Sequence, residues 1–288
     1  MSGIKVGVIG GSGLYEMDGL SNVGSERVVT PYGDPSDEFV TGTLAGVPMV
    51  FLPRHGRGHR FTPSEINYRA NIYGLKSLGV THIISVSACG SLKEEIEPGQ
   101  IVLITQFFDR TKNRAATFFG DGVVAHVPFA DPICGDLRKI LLDTAADLGV
   151  PHHDGGTYVC MEGPAFSTRA ESHFYRQVGA EVIGMTNLTE AKLAREAALS
   201  YATLALATDY DCWRSEDANV DISEILKVMG ANIANAKKII AAAVPKITAD
   251  TGAWIPESLK FAVVTAKESI PDKRKRDLDL VWRDYFTP

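Results

Sequence analysis

The sequence predicts an α/β protein that forms a single domain. Short runs rich in β-branched residues alternate with longer segments of helical periodicity, which is typical of this fold class. The 288 residues are enough for a sizeable core, and the 45% hydrophobic and 22% charged fractions are ordinary for a globular protein. No internal repeat, low-complexity tract or Gly/Ser-rich linker divides the chain. We therefore expect one domain over residues 1–288.

The elements follow from hydrophobic pattern and length. The predicted strands are the apolar runs at 5–9, 48–52, 82–87, 101–105, 157–161, 181–184 and 202–207. The predicted helices are the longer periodic stretches at 64–77, 137–148, 168–178, 188–199 and 222–244. A charged, amphipathic tail from about residue 272 predicts a terminal helix. We expect this tail to be packed or solvated, and a lid over a site is the alternative.

Composition and charge argue against several classes of partner. The formal net charge of -6 disfavours a nucleic-acid surface. No apolar stretch reaches the ~20 residues that span a membrane, and the N-terminus lacks the layout of a signal peptide. The four cysteines have no CxxC spacing, so neither zinc nor a disulfide framework is indicated. A cytoplasmic protein without a nucleic-acid or membrane partner is the expectation.

An acidic pair follows the predicted strand 202–207. Asp209 and Asp211 stand two positions apart, so side-chain alternation along a strand predicts that they project from one face. Two neighbouring carboxylates cannot both ionise easily, so one pKa should rise. Such a pair suits the binding or protonation of a nitrogen heterocycle. The alternative is a solvated loop or a helix N-cap, and this motif alone does not decide between them.

Three other strand ends carry groups that suit an anion. A glycine turn with a serine hydroxyl follows the first strand, at residues 10–14, but it fits the dinucleotide fingerprint poorly. A basic cluster at 53–60 offers arginine forks and histidines, and the segment 85–92 is rich in small and hydroxyl residues. A ligand-free turn and a solvated basic loop are the alternatives. If the strand ends converge, as in open α/β folds, they predict noncovalent phosphate binding.

At this point the residues resemble a known family, the trimeric purine nucleoside phosphorylases, and within it the members that act on 5′-methylthioadenosine. The resemblance is carried by the order and spacing of GGSGL (10–14), RHGR (54–57), NYRAN (67–71), ACGSL (88–92), EGPAFS (162–167), GMT (184–186) and ATDYDCW (207–213). It extends to about residue 245. It implies a mixed central β-sheet flanked by helices, and phosphorolysis of 5′-methylthioadenosine to adenine and 5-methylthioribose 1-phosphate.

The resemblance also implies the site residues. The positions that match the family's phosphate-binding residues are Ser12, Arg54, His55, Ser87, Ala88 and Thr186. Those that match its nucleoside-binding residues are Met185 for the ribose, Phe166 beside the base, and Asp209 with Asp211 for adenine. Asp209 is the expected acid for the leaving purine. No metal or other cofactor is expected, since phosphate is the co-substrate, and a homotrimer is implied.

Three further positions concern substrate choice and the subunit interface. Ser167 stands where relatives that prefer 6-oxopurines have Glu, and Ile222 stands where relatives that take a free 5′-hydroxyl have His. Both residues favour 5′-methylthioadenosine. His126 matches a histidine that the family borrows from the neighbouring subunit.

Three other functions are alternatives to phosphorolysis of 5′-methylthioadenosine. They are a broader purine nucleoside or 5′-methylthioinosine phosphorylase, a nucleoside hydrolase, and a purine-binding module without catalysis.

Overall fold

The computed structural model describes residues 3–214 and 222–286, which fold around one branched, mixed β-sheet. Its strands are β1 (Val6–Gly10), β2 (Leu20–Glu26), β3 (Phe39–Leu44), β4 (Val47–Pro53), β5 (His82–Ser91), β6 (Ile101–Leu103), β7 (Gln106–Arg110), β8 (His152–Asp154), β9 (Thr157–Met161), β10 (Val182–Gly184) and β11 (Ser200–Asp209). The helices are α1 (Tyr68–Ser77), α2 (Gly135–Asp147), α3 (Arg169–Gln177), α4 (Asn187–Glu196), α5 (Ile222–Ala243), α6 (Trp254–Ser258) and α7 (Asp272–Phe286).

Strand β5 is the centre of the sheet. It pairs in parallel with β1 and with β11, and its last residues pair antiparallel with β10. β4 lies in parallel on the other side of β1, while β9 and β7 continue beyond β10. Because β1, β4, β5 and β11 run in the same direction, their carboxyl ends meet at one edge of the sheet. The expected mixed sheet is confirmed.

The central strands have continuous apolar sequences because they are buried. Every residue of β1 is buried, and β11 is buried from Ser200 to Thr208. Parallel strands covered on both faces by helices need apolar side chains at each position. The core joins Ile9, Phe51, Ile84 and Leu204 in one cluster. Charged side chains such as Arg54 and Asp209 therefore lie where these strands end.

The structure adds elements that the sequence did not predict. β2 is almost wholly exposed and β7 is half exposed, so neither carries a continuous apolar run. β3, β8 and α6 were also not predicted, and β8 has only three residues. The helix predicted from residue 64 begins at Tyr68, because the Asn67 side chain accepts a hydrogen bond from Ala70 N–H and caps it.

The charged tail forms α7, which packs against α1. Leu278 and Val281 are buried, and Arg274 Nη2 donates to the Phe118 carbonyl at 2.6 Å. Of the roles expected for the tail, these contacts are those of a packed helix. Across the parts of the chain that the structure describes, no helix combines the length and apolar character needed to cross a membrane.

Candidate active site

A cavity of about 440 Å³ opens at the edge where the parallel strands end. Its walls come from the segments that follow β1, β4, β9 and β10, from the second half of β5, from the end of β11, and from one face of α5. Arg54, His55, Ser87, Ala88 and Thr186 line it, as do Phe166, Met185, Asp209 and Asp211. The predicted convergence of the strand ends is thus confirmed. The candidate site has a basic, hydroxyl-bearing end and a carboxylate end.

Arg54 follows β4 and is buried at the basic end of the cavity. Its backbone N–H donates to the Gly10 carbonyl at 2.9 Å, which ties the loop after β4 to the end of β1. Its Nε and Nη2 face the carboxylate of Glu190, and Nη1 donates to the Val86 carbonyl at 3.0 Å. The guanidinium fork is therefore turned onto Glu190. Among the contacts of the described residues, one Nη1 hydrogen of Arg54 is left to bind an anion in the cavity.

His55 is neutral at pH 7, so it does not add a second positive charge to that of Arg54. Burial, with help from the charge of Arg54, lowers the pKa of His55 to about 4, although its hydrogen bond to Phe61 opposes the shift. Nδ1 lies 2.8 Å from the Phe61 carbonyl, so the neutral ring carries its proton there. Nε2 is then an acceptor, suited to the hydroxyl of a monohydrogen phosphate or of a sugar.

Thr186 offers a hydroxyl that needs a partner. The residue is the N-cap of α4 but makes no side-chain capping bond, and its Oγ1 is buried without a hydrogen-bond partner among the described residues. A buried polar atom of this kind is uncommon and points to a missing ligand. The N-terminus of α4 also favours negative charge. Together these features support an anion site beside Arg54.

At the other end of the cavity, Asp209 and Asp211 lie in a buried environment. Burial raises the pKa of both carboxyl groups above the usual range, and the charge of Asp209 adds to the shift of Asp211. Asp209 Oδ2 lies 2.7 Å from Thr208 Oγ1, and Oδ1 accepts from Asp211 N–H at 2.8 Å. A Cβ on Gly90 would come within 3.0 Å of Asp209 Oδ1, so glycine lets β5 approach this group.

The prediction that strand alternation places Asp209 and Asp211 on one face was wrong. β11 ends at Asp209, and Asp211 has a φ of 52°, so strand alternation does not extend to it. The chain instead turns back after Asp209, and the Asp211 side chain reaches the cavity from this left-handed turn. The expectation that one pKa rises was also incomplete, since burial acts on both groups.

Apolar side chains form the remaining walls. Phe166 and Met161 stand on one side, and Met229 and Ile233 reach the cavity from α5. Ile222 begins the same helix, but its side chain lies outside the described part of the structure, as does that of Ser12. The backbone of Ser12 starts a short 3₁₀ helix directly after Gly11, which lines the cavity. The sequence predictions for these two side chains stay predictions.

Two predicted residues do not line the cavity. Ser167 stands behind the wall, where its carbonyl accepts from Cys212 Sγ at 3.3 Å. His126 is exposed on a loop outside the cavity, and its N–H donates to the Ala262 carbonyl at 2.8 Å. Within one chain, therefore, neither side chain is brought to the site.

Sequence reasoning missed two charged residues that support the site. Glu190 lies beneath Arg54, and Arg114 donates to the carbonyls of Met185 and Glu162 and so holds the backbone of two cavity segments together. A glutamate on the same helical face as Leu193 and Ala194 was a usable signal for Glu190. Arg114 lies in a polar loop without such a pattern. Among the described residues, no cluster of three or more His, Cys, Asp or Glu side chains could hold a metal ion.

Comparisons with known proteins match nearly the whole chain. The model of the phosphorylase superfamily matches residues 5–245. An S-methyl-5′-thioadenosine phosphorylase of Geobacter sulfurreducens is 59% identical over 97% of this chain and 98% of its own length, and one of Koribacter versatilis is 52% identical over 98% and 97%.

Solved structures agree with these relatives. A methylthioadenosine phosphorylase sourced from an antarctic soil metagenomic library matches with a TM-score of 0.91 and 48% identity, over 98% of this chain and 99% of that one. Methylthioadenosine phosphorylase from Schistosoma mansoni in complex with adenine matches with a TM-score of 0.85 and 37% identity, over 92% and 99%. The family resemblance read from the sequence motifs is confirmed.

Proposed function

The chain belongs to the phosphorylase superfamily, and from this premise we propose that it is a 5′-methylthioadenosine phosphorylase, a pentosyltransferase of purine and methionine salvage. It cleaves 5′-methylthioadenosine by phosphorolysis and releases adenine. The observation that carries the proposal is one cavity that combines anion donors at one end with the carboxyl groups of Asp209 and Asp211 at the other. A nucleoside with phosphate at its anomeric carbon carries chemical groups that suit both ends.

In the proposed reaction, a phosphate oxygen attacks C1′ as the bond from C1′ to N9 breaks. The electron pair of that bond passes to the purine, and the other product is 5-methylthioribose 1-phosphate. Phosphate lies between Arg54 Nη1, the Thr186 hydroxyl and the segment of Ser12, with Ser87 and Ala88 beside it. His55 Nε2 accepts from its hydroxyl. The orphaned Thr186 Oγ1 is the strongest support for this placement.

The leaving adenine lies at the carboxylate end. Asp209 donates a proton to N7 as negative charge develops on the purine, and Asp211 accepts from the exocyclic amine. Support comes from burial, which raises the pKa of Asp209 and so favours a carboxyl group that can donate. Phe166 packs beside the base, and Ser167 behind the wall leaves no carboxylate for a 6-oxopurine.

The sugar lies between these groups. The backbone N–H of Met185 binds the ribose hydroxyls, and Arg114 holds this segment by its hydrogen bond to the Met185 carbonyl. The apolar face of α5 with Met229, Ile233 and Ile222 receives the methylthio group. Each group that the reaction needs is supplied by side chains, backbone and phosphate, so the proposal includes no cofactor or metal.

We also propose a homotrimer in which His126 reaches the nucleoside in the neighbouring subunit. His126 is exposed and stands beside an apolar surface formed by Val124, Phe261 and Val264, of which Phe261 is 92% exposed. Exposed apolar patches of this kind are typical of contacts between proteins. The whole chain, 1–288, acts as one domain in this proposal.

The proposed location is the cytoplasm. All four cysteines are free, which is typical of a reducing compartment. The partners in the proposal are small molecules, a nucleoside and phosphate, without nucleic acid or membrane.

A substrate panel tests the proposed function. Initial rates are measured for 5′-methylthioadenosine, 5′-methylthioinosine, adenosine and inosine, each with and without phosphate. We expect 5′-methylthioadenosine to be cleaved much faster than inosine, and only with phosphate or arsenate. Comparable rates on inosine would refute the substrate assignment in favour of a broader purine nucleoside phosphorylase. Binding without cleavage would indicate a purine-binding module.

A further inference from the structure

Glu190 lies in the first turn of α4, beneath the guanidinium of Arg54. The two side chains are 2% and 4% exposed. Glu190 Oε1 accepts from Arg54 Nε, and Oε2 accepts from Nη2 at 3.1 Å. A contact through both oxygens fixes the plane of a guanidinium as well as its position. Arg54 therefore has one orientation with respect to the cavity.

The pair is surrounded by hydroxyl groups that complete the network. Ser85 Oγ lies 2.6 Å from Arg54 Nη2 and donates to Glu190 Oε2 at 2.8 Å. Tyr201 donates to the same oxygen at 3.0 Å, and Asn187 Nδ2 donates to Ser85 Oγ at 3.1 Å. All of these residues are buried. A buried charge pair with its polar atoms satisfied holds its geometry, whereas a partly satisfied one is costly.

The donors of Arg54 show what is left for a ligand. Nε and Nη2 face Glu190 and Ser85, and one Nη1 hydrogen is used by the Val86 carbonyl. Within the described residues, one Nη1 hydrogen remains without a partner, and Arg54 lines the cavity. Glu190 also cancels the charge of the guanidinium. An oxyanion at this end is bound by oriented donors more than by net positive charge.

We propose that Glu190 is the positioning residue of the phosphate site: it turns the Arg54 fork inward and aims the remaining Nη1 hydrogen at the oxyanion. The inference rests on the proposed function, in which phosphate occupies this end of the cavity. Glu190 itself touches neither substrate. Its effect is on the binding of phosphate, and it leaves the adenine end, formed by Asp209 and Asp211, unchanged.

The test is Glu190→Gln, which keeps the size of the side chain but removes its charge and one acceptor. We expect the KM for phosphate to rise by roughly tenfold or more. The substitution weakens the charged hydrogen bonds that orient Arg54, and hydrogen bonds between charged groups are stronger than neutral ones. The KM for 5′-methylthioadenosine, measured at saturating phosphate, should stay within about threefold of the wild-type value, and so should the Kd for adenine, measured without phosphate. Glu190→Asp keeps the charge but withdraws it by one methylene, so it should give an intermediate KM for phosphate.

Glu196→Gln is the matched control. Glu196 is a second buried glutamate of α4, but it accepts from Thr117 and from the Phe118 N–H, away from Arg54. Its substitution should leave the KM for phosphate unchanged. A role of Glu190 in stability alone would instead give similar changes in both variants.

Several results would overturn the inference. A folded Glu190→Gln with the wild-type KM for phosphate would do so, as would equal losses of phosphate and adenine binding. If Glu190→Gln does not fold, the KM for phosphate is measured instead in Ser85→Ala and in Tyr201→Phe, which each remove one hydroxyl contact of Glu190. A rise of roughly threefold in the KM for phosphate supports the inference, and no change in either variant overturns it. A wild-type enzyme that cleaves without phosphate would refute the proposed function itself.

Discussion

At the scale of single residues, Asp209 has partners for both of its protonation states. Thr208 Oγ1 lies 2.7 Å from Asp209 Oδ2 and 3.2 Å from the Cys89 carbonyl. The threonine hydroxyl can donate to the ionised carboxylate, or it can turn to Cys89 and accept from the protonated carboxyl group. Burial raises the pKa of Asp209, which favours the protonated form. This environment suits a group that gives a proton to a leaving purine.

Asp209→Asn tests this role. An amide can still donate a hydrogen bond to N7, but it cannot transfer a proton, so kcat for 5′-methylthioadenosine should fall by roughly 100-fold or more. We expect 5′-methylthioinosine to be affected less, because its 6-oxo group accepts from the amide. The measurement is the ratio of kcat/KM for the two nucleosides. An unchanged ratio would contradict the assigned role.

The site residues that sequence could identify are those in motifs at strand ends. Arg54 and Asp209 each follow a strand whose apolar run is evident, so their convergence could be predicted. The orientation of Asp211 could not, because it depends on a left-handed turn after the strand. The pairing of Arg54 with Glu190 joins positions 136 residues apart, and no local pattern gives that contact. The neutral state of His55 likewise follows from burial in the folded protein.

At the scale of elements, the sequence predicted the buried strands and the long helices but not the exposed strands. β1 and β11 are covered on both faces, so their composition alone identifies them. Among the described strands, β2 lies at an edge of the sheet and has β3 as its one neighbour, so its composition is not constrained in that way. Edge strands depend on pairing with a neighbour that periodicity does not reveal.

Helix α4 links the site to the stability of the protein through its last residue, Glu196. Burial raises the pKa of Glu196 to about 7, against the bonds from Phe118 and Thr117 that lower it. The folded state therefore holds a proton that the unfolded state releases near the ordinary pKa of 4.5. The contribution of this proton to the free energy of unfolding is fully present below pH 4.5 and is lost as the pH rises through about 7.

This linkage predicts a pH-dependent difference between the wild type and Glu196→Gln. Between pH 5 and pH 8, the free energy of unfolding of the wild type should fall by about 2 kcal/mol relative to the variant. Urea denaturation at the two pH values measures both proteins, and contributions from other titrating groups cancel in the difference. Parallel pH profiles would show that Glu196 does not hold the proton.

At the scale of the whole molecule, the proposed homotrimer gives a role to His126, which the family resemblance matches to a histidine from the neighbouring subunit. His126 is exposed and outside the cavity of its own chain. In a closed trimer the same surface docks three times, and each cavity can receive one His126. Light scattering or sedimentation should therefore give three times the 31.1 kDa of one chain.

Mixed oligomers test whether His126 acts between subunits. Asp209→Asn and His126→Ala should each lower activity on 5′-methylthioadenosine. When the two variants are co-expressed, some cavities combine an intact Asp209 from one chain with an intact His126 from its neighbour. We expect activity above that of either parent. If activity equals the average of the parents, His126 does not contribute to a neighbouring site.

The reaction itself is tested most directly by following the anomeric carbon. 5′-Methylthioadenosine is incubated in ¹⁸O-labelled water with and without phosphate, and adenine, the sugar product and phosphate consumption are measured together. Phosphorolysis predicts adenine release only with phosphate, one phosphate consumed per adenine, and 5-methylthioribose 1-phosphate without ¹⁸O at C1. Equal cleavage in phosphate-free buffer, with ¹⁸O at C1 of free methylthioribose, would show a hydrolase and contradict the proposed function.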